Sequence, residues 1–148
     1  MTGTPISPKP HYRVEFAAYP ILVVEDDPVM RRNLIQMLRN IGFYQIHEAA
    51  DGEAGITALK SMAHCDVVLS DITMAPVSGL KFLERVRTEL QPPARDVPVV
   101  FVTGHGDVET VNKAKQLRPA GYVLKPVAAD KLSARLAQIL NLNEAASG

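Results

Sequence analysis

Four short, nearly unbroken apolar runs and one more polar strand-like stretch, separated by stretches of helical periodicity, constrain this chain more than any other feature. The runs are Ile21–Val24, Val67–Ser70, Val97–Val102 and Gly121–Leu124, and Tyr44–Ala49 reads as a further strand. Such a run, bounded by turn residues, reads as a strand with both faces buried. Between the runs the apolar period changes. Met30, Leu34, Met37, Leu38 and Ile41 recur at helical spacing, with Asp27 as cap, Pro28 at the first helical position and Gly42 as the stop. Asp51-Gly52 turns into a second helix carrying Ile56, Leu59 and Met62. Leu80, Leu83, Val86 and Leu90 mark a third, broken by "PPARD". A fourth carries Val108, Val111, Ala114 and Leu117; Asp107 is expected to cap it and Pro119 to end it early. Asp130 is expected to cap the last, which carries Leu132, Leu136, Ile139 and Leu140.

Strands and helices that alternate in this way build an α/β domain with a parallel sheet covered on both faces. The economical arrangement at this length is a flavodoxin-like (βα)5 doubly wound sheet of five strands in the order 2-1-3-4-5. The 148 residues, 47% of them hydrophobic, suit one compact core. Residues 20–141 are expected to form it. Residues 1–19 read as an N-terminal extension whose first ~10 residues, polar and holding three prolines, are disordered; "HYRVEFAAY" (His11 to Tyr19) is placed as an extra turn or strand against the domain. Residues 142–148 read as a short tail with no output domain. Lys and Arg number 16, as do Asp and Glu, so a direct nucleic-acid binder is not expected. Cys65 is the only cysteine, which fits a reducing compartment. No apolar run approaches the ~20 residues of a membrane span, and "MTGTPISPKP" lacks a signal core, so a soluble cytoplasmic protein is expected.

In a doubly wound sheet, chemistry sits beyond the carboxyl ends of the strands. Strand one ends at Glu25 and Asp26, strand three at Asp71, strand four at Thr103 and strand five at Lys125. Three carboxylates, a hydroxyl and an ammonium thus converge on one edge. Carboxylates this close raise one another's pKa, and a hard divalent cation relieves the repulsion. Lys125 and Thr103 suit a bound phosphoryl group better than a bare metal. Asp71, alone at its strand end, is the natural nucleophile for an acyl phosphate.

In order, "ILVVEDDP", "VVLSDITM…G", "VVFVTG" and "GYVLKP" resemble the receiver (CheY-like) domains of two-component response regulators, from Ile21 to about Leu140. The resemblance implies that Asp71 accepts a phosphoryl group from a histidine kinase or phosphotransfer protein. It implies Mg2+ (or Mn2+) held by Glu25, Asp26, Asp71 and the backbone carbonyl of Thr73. It implies that Thr103 moves toward the phosphoryl group, that Lys125 pairs with acceptor and phosphate, and that Tyr122 turns inward as part of the switch. Its output is conformational, directed at a downstream protein or output domain, with homodimerisation on phosphorylation as one route. The chain is either a stand-alone receiver or a piece of a larger regulator. The family commonly has proline four residues after the acceptor. Here that position is Ala75 and the proline is Pro76, while Gly79 keeps its place. The shift is expected to alter the loop's path and the lifetime of the phosphate.

Other readings stand beside these. His105 either tunes phosphate lifetime or is a solvated loop histidine, and Tyr122 is equally a core residue. Arg31-Arg32 either touch a kinase or are ordinary surface arginines. Met30, Met37 and Met62 read as core, and His11, His47 and His64 show no ligand spacing. Two other functions remain: a phosphorylation-independent adaptor, whose mark would be loss of the acceptor, metal or lysine position, and a phosphatase-type enzyme, which would need an acid where Thr73 stands.

Overall fold

A computed structural model describes residues 16–142. Five parallel strands, β1 (Ile21–Val24), β2 (Ile46–Ala49), β3 (Val67–Asp71), β4 (Val99–Thr103) and β5 (Gly121–Leu124), form one sheet in the order β2-β1-β3-β4-β5. The intervening helices are α1 (Pro28–Ile41), α2 (Gly52–Ser61), α3 (Gly79–Glu89), α4 (Val108–Lys113) and α5 (Ala129–Ile139). The α/β class and the strand order expected from the sequence are both found.

The two-residue period of a strand divides the core. Ile21 and Val23 pack with Leu34 and Leu38 of α1 and Leu132 and Leu136 of α5. Leu22 and Val24, pointing the other way, pack with Ile56 of α2, Phe82 and Leu83 of α3 and Val111 of α4. Burial on both faces explains why β1, β3 and β4 read as continuous apolar runs, while the edge strand β2 is more polar and largely exposed. Asp27 caps α1 by accepting from the Val29 and Met30 amides at 2.9 and 3.3 Å, and Gly42, at φ 120°, closes it in a conformation that favours glycine.

Several boundaries differ from the sequence reading. β2 starts at Ile46, not Tyr44; Tyr44 is 84% exposed. β4 starts at Val99, not Val97, because a 3-10 turn (Ala94–Asp96) and Pro98, which has no amide proton, precede it. α4 stops at Lys113, well before Pro119, and continues as a 3-10 turn (Lys115–Leu117) that ends on Arg118 at φ 54°. Asp107 stands at the head of α4 but makes no capping hydrogen bond. It closes a 3-10 turn (His105–Asp107) instead. Asp130 lies inside the first turn of α5, which begins one residue earlier behind Ala128.

Of the expected N-terminal extension, Phe16 is fully buried and stacks on Phe43, ring centroids 4.4 Å apart. The calls on residues 1–15 and 143–148 lie outside the described residues. Among the described residues, no helix is long and apolar enough to cross a membrane.

Candidate functional site

Strand register brings the acids together. Val24 lies opposite Ser70, so the next residue, Glu25, comes level with Asp71 across strands about 4.8 Å apart. Asp71 is in turn opposite Val102, and Thr103 opposite Leu124, which puts Lys125 just beyond the same rim. One carboxylate oxygen from each of Glu25, Asp26 and Asp71 lies within 4.8 Å of the others. Lys125 Nζ stands 3.2 Å from Asp71 Oδ1.

These carboxylates differ in environment. Glu25 and Asp71 are buried, at 1% and 4% exposure, while Asp26 faces solvent. Glu25 Oε2 accepts from the Asp27 amide at 3.1 Å, but Oε1 has no partner among the described residues. Asp71 Oδ1 has the Lys125 ion pair but no hydrogen bond of good geometry. Burial pushes the Glu25 carboxyl up to about 7, and the charge of Asp71 adds to the rise, against the opposing pull of the Asp27 amide and Lys125. A buried acid with an orphaned oxygen beside a second such acid is costly to keep ionised. A hard cation with oxygen preference answers that need, and these donors fit one.

Thr103 is fully buried, and its hydroxyl donates to the Gly104 carbonyl at 3.1 Å rather than to a site carboxylate. The Thr73 side chain is exposed, and its hydroxyl donates to Asp107 Oδ2 at 3.4 Å, a weak bond linking the loops after β3 and β4. Tyr122 is half-buried and packs against the core beneath α2, α3 and α4, so the packing role weighed above is present. His105 is exposed on the 3-10 turn after β4. The Ala75–Pro76 and Lys125–Pro126 peptides are cis.

Supporting contacts from three residues escaped the sequence reading. The Ala75 amide donates to Asp26 Oδ2 at 3.4 Å, so the loop with the displaced proline touches the acid cluster. Ser70 Oγ donates to the Asp71 carbonyl at 2.9 Å. Arg31 donates to the Glu25 carbonyl at 2.7 Å and pairs with Glu48 at 2.9 Å. Arg31 is therefore engaged in bracing the β1–α1 turn. Only its place one turn into α1 hinted at this, and nothing in the sequence announced the loop contacts.

The Response regulator receiver domain family matches residues 21–137. The chain is 33% identical over 116 residues to a probable chemotaxis protein CheY of Rhizobium etli, covering 78% of this chain and 88% of that protein. It is 32% identical over 119 residues to chemotaxis protein CheY-3 of Vibrio cholerae, covering 80% and 89%. Among solved structures it is similar to a response regulator receiver domain protein from Clostridium thermocellum, with a TM-score of 0.74 and 26% identity over 85% of this chain and 97% of that one.

Proposed function

The chain belongs to the response regulator receiver domain family, and from that premise we propose that Asp71 accepts a phosphoryl group from a histidine kinase or phosphotransfer protein. The observation that carries this reading is Asp71 itself: buried, at a strand end, with an oxygen that has no hydrogen bond, and paired with Lys125. In the reaction a carboxylate oxygen of Asp71 forms the new bond to phosphorus while the bond from phosphorus to the donor imidazole nitrogen breaks, and the electron pair leaves with the imidazole. Such a transfer asks mainly for positioning and charge neutralisation. Lys125 holds a positive charge at the acceptor. Glu25, Asp26, Asp71 and the Thr73 carbonyl would hold Mg2+ or Mn2+, which supplies further neutralisation of the transferred group when bound.

Receiver domains are signalling modules rather than turnover enzymes, so the product is a changed surface. Thr103 would exchange its bond to the Gly104 carbonyl for one to the phosphoryl group. That movement would draw on the turn at 104–107 and on α4, and Tyr122 on the neighbouring strand would follow. A new charge thereby biases a two-state element that a downstream protein or output domain reads. The adaptor and phosphatase readings gain nothing further: acceptor, acids and lysine are all in place, and Thr73 stands where the second acid would be needed.

The test is exposure of the protein to acetyl phosphate with and without Mg2+, followed by intact mass measurement. One phosphoryl group is expected, only with the metal, and none in Asp71→Asn. Uptake at an unchanged rate in Asp71→Asn would refute the assignment.

A further inference from the structure

Glu25 and Asp26, at the end of β1, share one peptide group. That group is planar, so the direction of its carbonyl sets how the two acids leave the strand relative to each other. The carbonyl oxygen accepts from Arg31 Nη1 at 2.7 Å, a short, charge-assisted bond. The rest of Glu25 is held by main chain. Its amide donates to the Ala49 carbonyl at 3.1 Å, and its Oε2 accepts from the Asp27 amide at 3.1 Å. Asp26 is held more weakly, by the Ala75 amide at 3.4 Å. Arg31 therefore ties down the peptide that joins two of the three clustered acids.

The reach of Arg31 follows from the helix. Its amide closes the first turn of α1 on the Asp27 carbonyl at 2.8 Å, and helical side chains lean toward the N-terminus, here over the β1–α1 turn. The edge strand β2 supplies a second hold. Glu48, in register with Val23, accepts from Arg31 Nε at 2.9 Å. Nε and Nη1 belong to one rigid plane, so Glu48 orients the fork that reaches Glu25. The Arg31 side chain is 19% exposed and that of Glu48 57%, and an ion pair so open to solvent contributes little stability by itself. Its effect is directional. Arg32 and Arg39 line the same groove of about 320 Å³ beside α1, but both are exposed and have no ion-pair partner among the described residues.

We infer that Arg31 is a positioning residue for divalent-cation binding at Glu25, Asp26 and Asp71, with Glu48 as its guide; the inference rests on the metal site proposed above. Arg31 acts through the Glu25 carbonyl and not on the cation. Its charge and its bond pull in opposite directions. By charge alone, an arginine near these acids disfavours a cation, so removing it would tighten binding. By its bond, removing it frees the shared peptide to turn and loosens two ligands together, as losing the partner of a metal ligand does. The bond is expected to win, because it is short and part-buried while the charge is already matched by Glu48.

The experiment is titration of magnesium chloride into the isotopically labelled full chain with no phosphodonor, followed by the amide shifts of Glu25, Asp26 and Asp71. Arg31→Met is expected to weaken binding about tenfold. Arg31→Lys keeps the charge but cannot bond both partners, and should lose nearly as much. Glu48→Gln, the mildest change and at an exposed residue, should weaken binding by a smaller factor. Arg32→Met removes the same charge without touching the turn, and should bind as the parent does. Labelling of Arg31→Met by acetyl phosphate should be slow at limiting Mg2+ and recover at saturating Mg2+, a split that general loss of structure does not give. Equal or tighter binding by Arg31→Met, full retention in both Arg31→Lys and Glu48→Gln, or an equal loss in Arg32→Met would overturn the role. A parent that binds no Mg2+ would overturn the metal site and this role with it, whereas equal binding by parent and Arg31→Met overturns this role alone.

Discussion

The two crossovers that flank β4 are built differently. After β3 the chain turns tightly into α3. The Gly79 amide donates to the Ile72 carbonyl at 2.9 Å, Ser78 caps the helix, and eleven residues follow with Phe82, Leu83 and Val86 buried. A Cβ on Gly79 would sit 2.7 Å from Ile72 Cα and closer still to the Asp71 carbonyl. After β4 the chain is loose. Gly104 and Gly106 have open space around them, Asp107 makes no cap, and α4 lasts six residues with only Val111 buried. Asp71 thus hangs on the tighter of these two crossovers, and Thr103 opens into the looser one. The switch proposed above would need that asymmetry: a fixed point for the chemistry and a weakly held element to move.

The comparison breaks first at the glycines. Gly79→Val is expected to cost about 3 kcal/mol or more in urea unfolding, because backbone on both sides would have to shift. Gly104→Ala and Gly106→Ala should stay within about 0.5 kcal/mol; a large cost there would erase the contrast.

Arg87 limits how much of the second crossover is free. Its guanidinium donates to the carbonyls of Leu117 (2.8 Å), Arg118 (3.0 Å), Arg95 (2.9 Å) and Val97 (2.8 Å), tying the far end of α4 to α3. Arg87→Met should cost about 2 kcal/mol, since four carbonyls, those of Leu117 and Val97 part-buried, lose their donor, and amides at 114–118 should exchange faster. Unchanged exchange there would mean that α4 is not pinned in this way.

Glu25 contributes an acid-dependent effect on the rigid side. Its carboxyl sits near 7 when folded, against 4.5 for the unperturbed group. The folded state therefore holds the proton more tightly, so stability is full below the lower value and is lost as pH rises through the higher one. Without metal, unfolding free energy should fall by roughly 2 kcal/mol between about pH 5 and 8. Glu25→Gln should flatten the fall, and added Mg2+ should offset it in the parent only. A metal-free stability that does not fall with pH would contradict this.

The smallest difference is in the caps. Ser78→Ala should cost about 1 kcal/mol and Asp107→Ala less than about 0.5, measured by thermal unfolding.

The same contrast explains what could be read from the sequence. Asp26, Asp71, Thr103 and Lys125 were legible because strand period and crossover length fix where a strand ends, and polar residues there interrupt otherwise apolar runs. The length of α4 was not legible. Val108, Val111, Ala114 and Leu117 carry the helical spacing, yet Arg87, distant in sequence, draws the Leu117 and Arg118 carbonyls out of a continuing helix. Asp107 resembles a cap by position, but its carboxylate meets Thr73 instead. Arg31 resembled a free surface charge until the fold brought the Glu25 carbonyl to it. Each miss is a tertiary contact overriding a local preference.

The central claim is that chemistry at a fixed acceptor is answered by the loosely built crossover. Amide hydrogen exchange, compared before and after labelling with acetyl phosphate and Mg2+, tests it directly. Changed protection is expected at residues 104–126, with α3 and α1 unchanged and no response in Asp71→Asn. Labelling that leaves 104–126 unaltered, or that alters α3 as much as α4, would contradict it.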